Sequence, residues 1–198
     1  MKTFKEFNNI NEDYNFTNEA DTGLKGVTSF RNGLSVEIVK EKYSWLMQAK
    51  FKNAVIGEDR NGLIIWFKGT WIDGTWENGT WCDGIWKNGV WENGTWNKGT
   101  WENGIWKSGT WENGKWESGT WKSGTWENGV WYDGTWEDGY WNSGSWRKGT
   151  WKNGTWQNGD FNNGAWENGI WKRGEWYNST WKDGVWEDLS KTKPTEYN

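Results

Sequence analysis

Histidine is absent from this 198-residue chain, and cysteine occurs once, as Cys82. Without histidine the usual zinc and acid–base constellations lose their commonest member, and a single cysteine cannot form an intrachain disulfide. No apolar run is long enough to cross a bilayer, and the first residues lack the apolar core of a signal peptide. No membrane association is expected, and the chain is placed inside a cell, in host cytoplasm, or in a virion. Hydrophobic residues make up only 33%, and a mean hydropathy of −1.09 would by itself describe a disordered chain. Basic residues number 23 against 27 acidic, for a net charge of −4. Without basic clustering, no direct nucleic-acid binding is expected. No nucleophile, base and orienting group recur at a catalytic spacing, so the chain reads as a non-enzyme. No catalytic residue, metal ligand or cofactor is assigned.

What the chain has is tryptophan, 25 of them, together with 28 glycines. From Trp66 to Trp186 every fifth residue is aromatic, and Phe161 alone in that series is not Trp. The ladder includes Trp71, Trp76, Trp81, Trp86, Trp91, Trp96, Trp101, Trp106, Trp111, Trp116, Trp121 and Trp126. So strict a period marks one small unit copied along an axis. Burying an aromatic removes roughly 150–250 Å² from water, so each Trp can contribute on the order of 4–6 kcal/mol. That offsets the large backbone entropy of a glycine-rich chain.

The unit reads Gly-Thr-Trp-Glu/Lys-Asn, as in Gly99-Thr100-Trp101-Glu102-Asn103, with Ser179 the exception in the glycine slot between Gly69 and Gly184. β-Branched residues flanked by turn formers are strand and turn material, and a glycine every five residues excludes helix. Two architectures compete. Asn-Gly suits tight hairpins, but a meander of three-residue strands would need the terminal backbone groups of each strand to point both ways at once. A solenoid, in which each unit forms one side of a coil with Trp pointing inward, has no such conflict, and glycine before Trp would make room for the indole.

The frame continues upstream. Ser44-Trp45-Leu46, Ala49-Lys50-Phe51, Ala54-Val55-Ile56 and Ile64-Ile65-Trp66 put Ser or Ala in the glycine slot three times and Leu, Phe, Ile or Trp in the aromatic slot. On these residues the array resembles the pentapeptide-repeat family, whose units carry a small residue, a polar residue, then Leu or Phe. The resemblance covers about residues 44–188 and implies an all-β, right-handed quadrilateral β-helix with four units per coil. About six coils would then span roughly 30 Å. The chain departs from that family in using Trp for Leu or Phe and Gly for Ala, and Asp59 and Asn61 break the frame once. A triangular coil of three units therefore stays open. The apolar outward residues Ile85, Ile105, Ala165 and Val185, and likewise Val90, Val130 and Ile170, lie multiples of twenty apart, which favours four sides; Tyr140 falls outside both series.

Four segments follow: a leader over 1–20, a β-rich N-terminal cap over 21–43, the solenoid over 44–188 and a tail over 189–198. The alternation Leu34-Ser35-Val36-Glu37-Ile38 after Asn32-Gly33 predicts strands in the cap, which would cover the open edge of the first coil. The leader Met1-Lys2-Thr3-Phe4-Lys5-Glu6-Phe7, followed by Ile10-Asn11-Glu12, resembles the targeting peptide of internal head proteins of T-even-type phages. That resemblance implies proteolytic processing at the Ile10-x-Glu12 site.

The functional expectation is a non-enzymatic structural or interaction protein, phage-encoded and head-associated, meeting a protein partner or a second copy through the solenoid ends. An alternative places Glu77, Glu117 and Glu137, which share a twenty-residue phase, on an acidic face imitating DNA toward a topoisomerase-type enzyme. A carbohydrate-binding surface would need exposed tryptophans, and a calcium reading of Asp73, Asp83 and Asp133 is weakened by Asn, Ser or Lys in the neighbouring units.

Overall fold

The computed structural model describes residues 24–194. A cap comprises strand β1 (Val27–Arg31), helix α1 (Val36–Lys42), a 3-10 turn (Ser44–Met47) and strand β2 (Lys50–Glu58). β3 (Ile64–Asp73) then leads into a series of two- and three-residue strands running from β4 (Thr75–Trp76) to β26 (Val185–Trp186). These form an all-β parallel solenoid of about eight coils. At roughly 4.8 Å per layer it is on the order of 40 Å long.

The coil has three sides, not four. Trp66 pairs in parallel with Trp81, Trp81 with Trp96, and Trp96 with Trp111, an offset of fifteen residues that holds on every side. Two features of the unit close the coil at three. Gly119, at a corner, has φ +125, a backbone region closed to side chains that lets the chain turn more sharply than a square requires. The three indoles then close the section edge to face: Trp111 meets Trp116, and Trp116 meets Trp121, at 6.0 Å and just over 70°. Between coils each ring stacks nearly parallel on its counterpart, Trp101 on Trp116 at 4.8 Å and 6°. Both geometries are favoured by the ring quadrupole. The core is thus three continuous columns of indoles, in which Trp66 through Trp156 have no solvent exposure.

Glycine does more than make room for the indole. A Cβ on Gly119 would lie 2.4 Å from the carbonyl oxygen of Gly104 on the preceding coil, so the closest obstruction is backbone. At many corners the Asn or Asp side chain accepts the glycine N–H beside it, as Asn113 does from Gly114 at 2.8 Å and Asp133 from Gly134 at 2.7 Å. Coil joins coil through two recurring bonds, seen where Thr120 N–H donates to Gly104 O (2.9 Å) and Lys122 N–H donates to Trp106 O (2.7 Å). The indole N–H of Trp126 and Trp141 donates to the backbone carbonyls of Ser143 and Asn158 on the next coil, each at 3.1 Å. Most other core indoles keep a buried N–H with no acceptor within reach, a cost the ring stacking has to exceed.

One corner breaks the pattern twice. Asn163 (φ 45) and Asn178 (φ 44) carry the left-handed conformation that glycine carries elsewhere, and Gly164 N–H donates to Ser179 Oγ at 3.0 Å. The two exceptions in sequence are therefore one structural event. A Cβ on Gly164 would lie 2.6 Å from the Phe161 ring, so the bare backbone there is what admits the phenyl. Phe161 stacks between Trp146 (5.3 Å) and Trp176 (4.8 Å).

The cap differs from its expected form. Leu34–Ile38 does not form a strand: Ser35 is the N-cap of α1, its hydroxyl accepting the Ile38 N–H, and Val39 points into the core. Residues 44–63 are not coils either. β2 and β3 form an antiparallel hairpin, and Asp59 Oδ1 accepts the N–H groups of Asn61 and Leu63 at 2.8 Å each. The frame break at Asp59 and Asn61 is the hairpin turn, and the coiled ladder starts on β3. Phe51 and Trp45 close the first coil, packing on Trp66, Trp71 and Trp76.

Candidate interaction surfaces

Each side of the triangle presents two outward columns, the residue before Trp and the residue after it. One face carries Thr75 to Thr180 with Glu77 to Lys182, and the next carries Thr80 to Val185 with Cys82 to Glu187. The third carries Thr70 to Glu175 with Ile72 to Tyr177. The fifteen-residue coil divides the expected acidic stripe. Glu77 and Glu137 share the first face but lie four coils apart, and Glu117 is on the third. Glu137 is also flanked by cations, with Lys122 at 2.9 Å and Lys152 at 3.9 Å. The twenty-residue apolar columns dissolve for the same reason, and in the structure Val90 sits beside Ile105 and Ile170 beside Val185.

The fifteen-residue spacing has a charge signature that the twenty-residue frame hid. Lys98–Asp83, Lys107–Glu92, Lys122–Glu137, Lys148–Asp133 and Lys172–Glu187 are each opposite charges fifteen apart and each within 4.0 Å. All are at least partly exposed and contribute little singly. The second face departs from this pairing: from Thr80 and Cys82 to Thr155 and Gln157 its outward columns hold no basic residue. Glu112 and Glu127 are neighbours there, and burial, followed by the Glu127 charge, raises the Glu112 pKa. Asn142 Nδ2 donates to Glu127 at 2.8 Å.

The three aspartates of the calcium reading are engaged locally. Asp73 accepts from Gly74 N–H and Asn88, while Asp83 and Asp133 each accept from the next glycine and pair with a lysine. Among the described residues no three His, Cys, Asp or Glu side chains gather as metal ligands. Cys82 is largely covered, and burial pushes its thiol up to about 11. No family model, curated protein or solved structure matches the chain. Nor is any helix among the described residues long and apolar enough to cross a membrane.

The two ends differ. At the first coil the cap buries Leu24, Val27, Leu34, Val39, Tyr43 and Leu46 over the indoles. At the last, Trp176 and Trp186 are only half-buried and Leu189 is 97% exposed. Among the described residues the segment after the last coil packs back on it: Lys191 Nζ donates to Gly174 O, and Lys193 lies over Trp181. Ile10 and Glu12 lie outside the described residues.

The cap carries a carboxylate shifted downward. Glu58 accepts from Tyr43 Oη at 2.7 Å and from Lys42 Nζ at 3.0 Å, and these bonds hold its carboxyl below the usual range. A carboxylate with a depressed folded pKa stabilises fully above its unfolded pKa, and that contribution is lost as pH falls through the folded value. Glu112, shifted upward, has the opposite sign and loses an unfavourable charge on acidification. Lowering pH from neutrality to about 3 should therefore loosen the cap before the array. Amide protection factors, each normalised to the intrinsic exchange rate at that pH, should fall at Val39 and Tyr43 before they fall at Trp116 and Trp121; a simultaneous fall would contradict this.

Proposed function

We propose that this chain is a non-enzymatic structural or interaction protein, phage-encoded and virion-associated, whose solenoid is a rigid strut that meets a protein partner or a second copy through its ends. The observation that carries the strut reading is the core of three continuous columns of stacked, buried indoles, which run along the axis of the coils. The leader's resemblance to head-targeting peptides supports the viral part. A carbohydrate surface has no support in the solenoid, because the core ring faces are stacked on one another. The DNA-imitating alternative loses its glutamate stripe to the fifteen-residue coil. Mass spectrometry of purified phage particles should find the chain beginning at Asp13. Absence from particles, with Met1 retained in the cell fraction, would overturn the virion assignment.

A further inference from the structure

A cleft of about 360 Å³ lies between the cap and the first coil, lined by Ser44, Trp45, Gln48, Gly74, Thr75 and Glu77. The 3-10 turn supplies one wall. Its Trp45 is half-buried, held edge to face on Trp76 at 5.1 Å, and is one of the residues lining the cleft. The first coil supplies the other wall, with Glu77 exposed at the mouth.

Glu77 is at an unusual place in its column. Next to it on the following coil is Glu92, another carboxylate, whose partner is Lys107 at 2.9 Å. On its other side stands the cap. No ion pair joins Glu77 to any described residue, and its nearest column neighbour adds negative charge. An indole and an uncompensated carboxylate at one opening form the pair of groups that holds an organic cation: the ring attracts it through its quadrupole, and the carboxylate adds charge and hydrogen-bond acceptors. Gln48, Ser44 and Thr75 add polar groups around them.

We propose that this cleft binds an alkylammonium or guanidinium group, seated against Trp45 and paired with Glu77. The group comes either from a free alkylamine or from an arginine side chain of a partner protein, and both present an organic cation with N–H donors. The full chain, labelled with nitrogen-15 at tryptophan, is titrated with butylammonium chloride and separately with N-acetyl-arginine methylamide. The indole signal absent from Trp45→Phe is followed. A saturable shift is expected, with affinity about ten-fold weaker in Glu77→Gln, as for loss of a charged hydrogen bond, and unchanged in Glu117→Gln. Tighter binding of the capped arginine identifies a side chain as the source, and tighter binding of butylammonium identifies a free amine; either supports the site. No saturable shift with either probe, or equal affinity in Glu77→Gln, overturns it. Glu77 is exposed, so its isosteric replacement leaves the fold intact and keeps the test decisive.

Discussion

Replacing Gly119 by alanine should destabilise the chain by on the order of 3 kcal/mol, although it adds a single methyl group. Two costs act together. At φ +125 any side chain is strained, and the new Cβ would approach Gly104 O to 2.4 Å and Gly104 N to 3.0 Å. Neither neighbour is a movable side chain, so relief requires separating two coils and stretching the bond from Thr120 N–H to Gly104 O. Gly33 is the control. It too has positive φ (+80), but a Cβ there meets nothing within 4 Å, so Gly33→Ala should cost only the conformational strain, about 1–2 kcal/mol. Urea midpoints of the two variants test this, and a Gly119→Ala midpoint no lower than that of Gly33→Ala would refute the corner geometry. Because coils couple mainly to their neighbours, the Gly119 variant should also unfold in two stages, splitting at that coil.

Truncating a core indole should cost about as much or more. Trp116→Ala removes a ring stacked on Trp101 and Trp131 at 4.8 and 4.7 Å and touching Trp111 and Trp121 at 6.0 Å, for an expected loss of about 3–5 kcal/mol. Trp186→Ala should cost clearly less. Trp186 is half-buried and has a stacked neighbour on one side only, Trp171 at 5.3 Å. Trp116→Phe should fall between them, since Phe161 already occupies a column position. Denaturation of the three variants gives the order directly. Equal losses at Trp116 and Trp186 would mean that stacking from both sides contributes nothing.

How far the sequence could be read depended on what differs between units. Strand, turn and inward position all follow from the five-residue period, because each repeats with it. The number of sides does not. When almost every inward residue is Trp, offsets of fifteen and twenty both place Trp on Trp, and only the outward residues separate them. The apolar ones, Ile85, Ile105, Ala165 and Val185, align at twenty by coincidence, whereas the ion pairs Lys107–Glu92 and Lys122–Glu137 align at fifteen because the charges attract. The seven-residue α1 was hidden for another reason. It is too short to display a helical period, and its first residues alternate as a strand would, leaving the Ser35 cap and the spacing of Val39 and Tyr43 as its signals. The cleft at Trp45 and Glu77 was not legible, since its walls come from segments about thirty residues apart whose approach depends on the hairpin turn at Asp59.

The three-unit coil gives the chain an unusual response to change in length. Adding or removing fifteen residues lengthens or shortens the rod by one layer and returns every later side chain to its original face. Adding a single pentapeptide such as Gly-Thr-Trp-Glu-Asn would keep the indole columns filled but hand each downstream residue to the neighbouring face. Placed between Glu92 and Lys107 it would separate that pair, and placed between Lys122 and Glu137 it would separate that one. Changes in the number of units can thus alter reach and re-sort surface chemistry while leaving the core as it is.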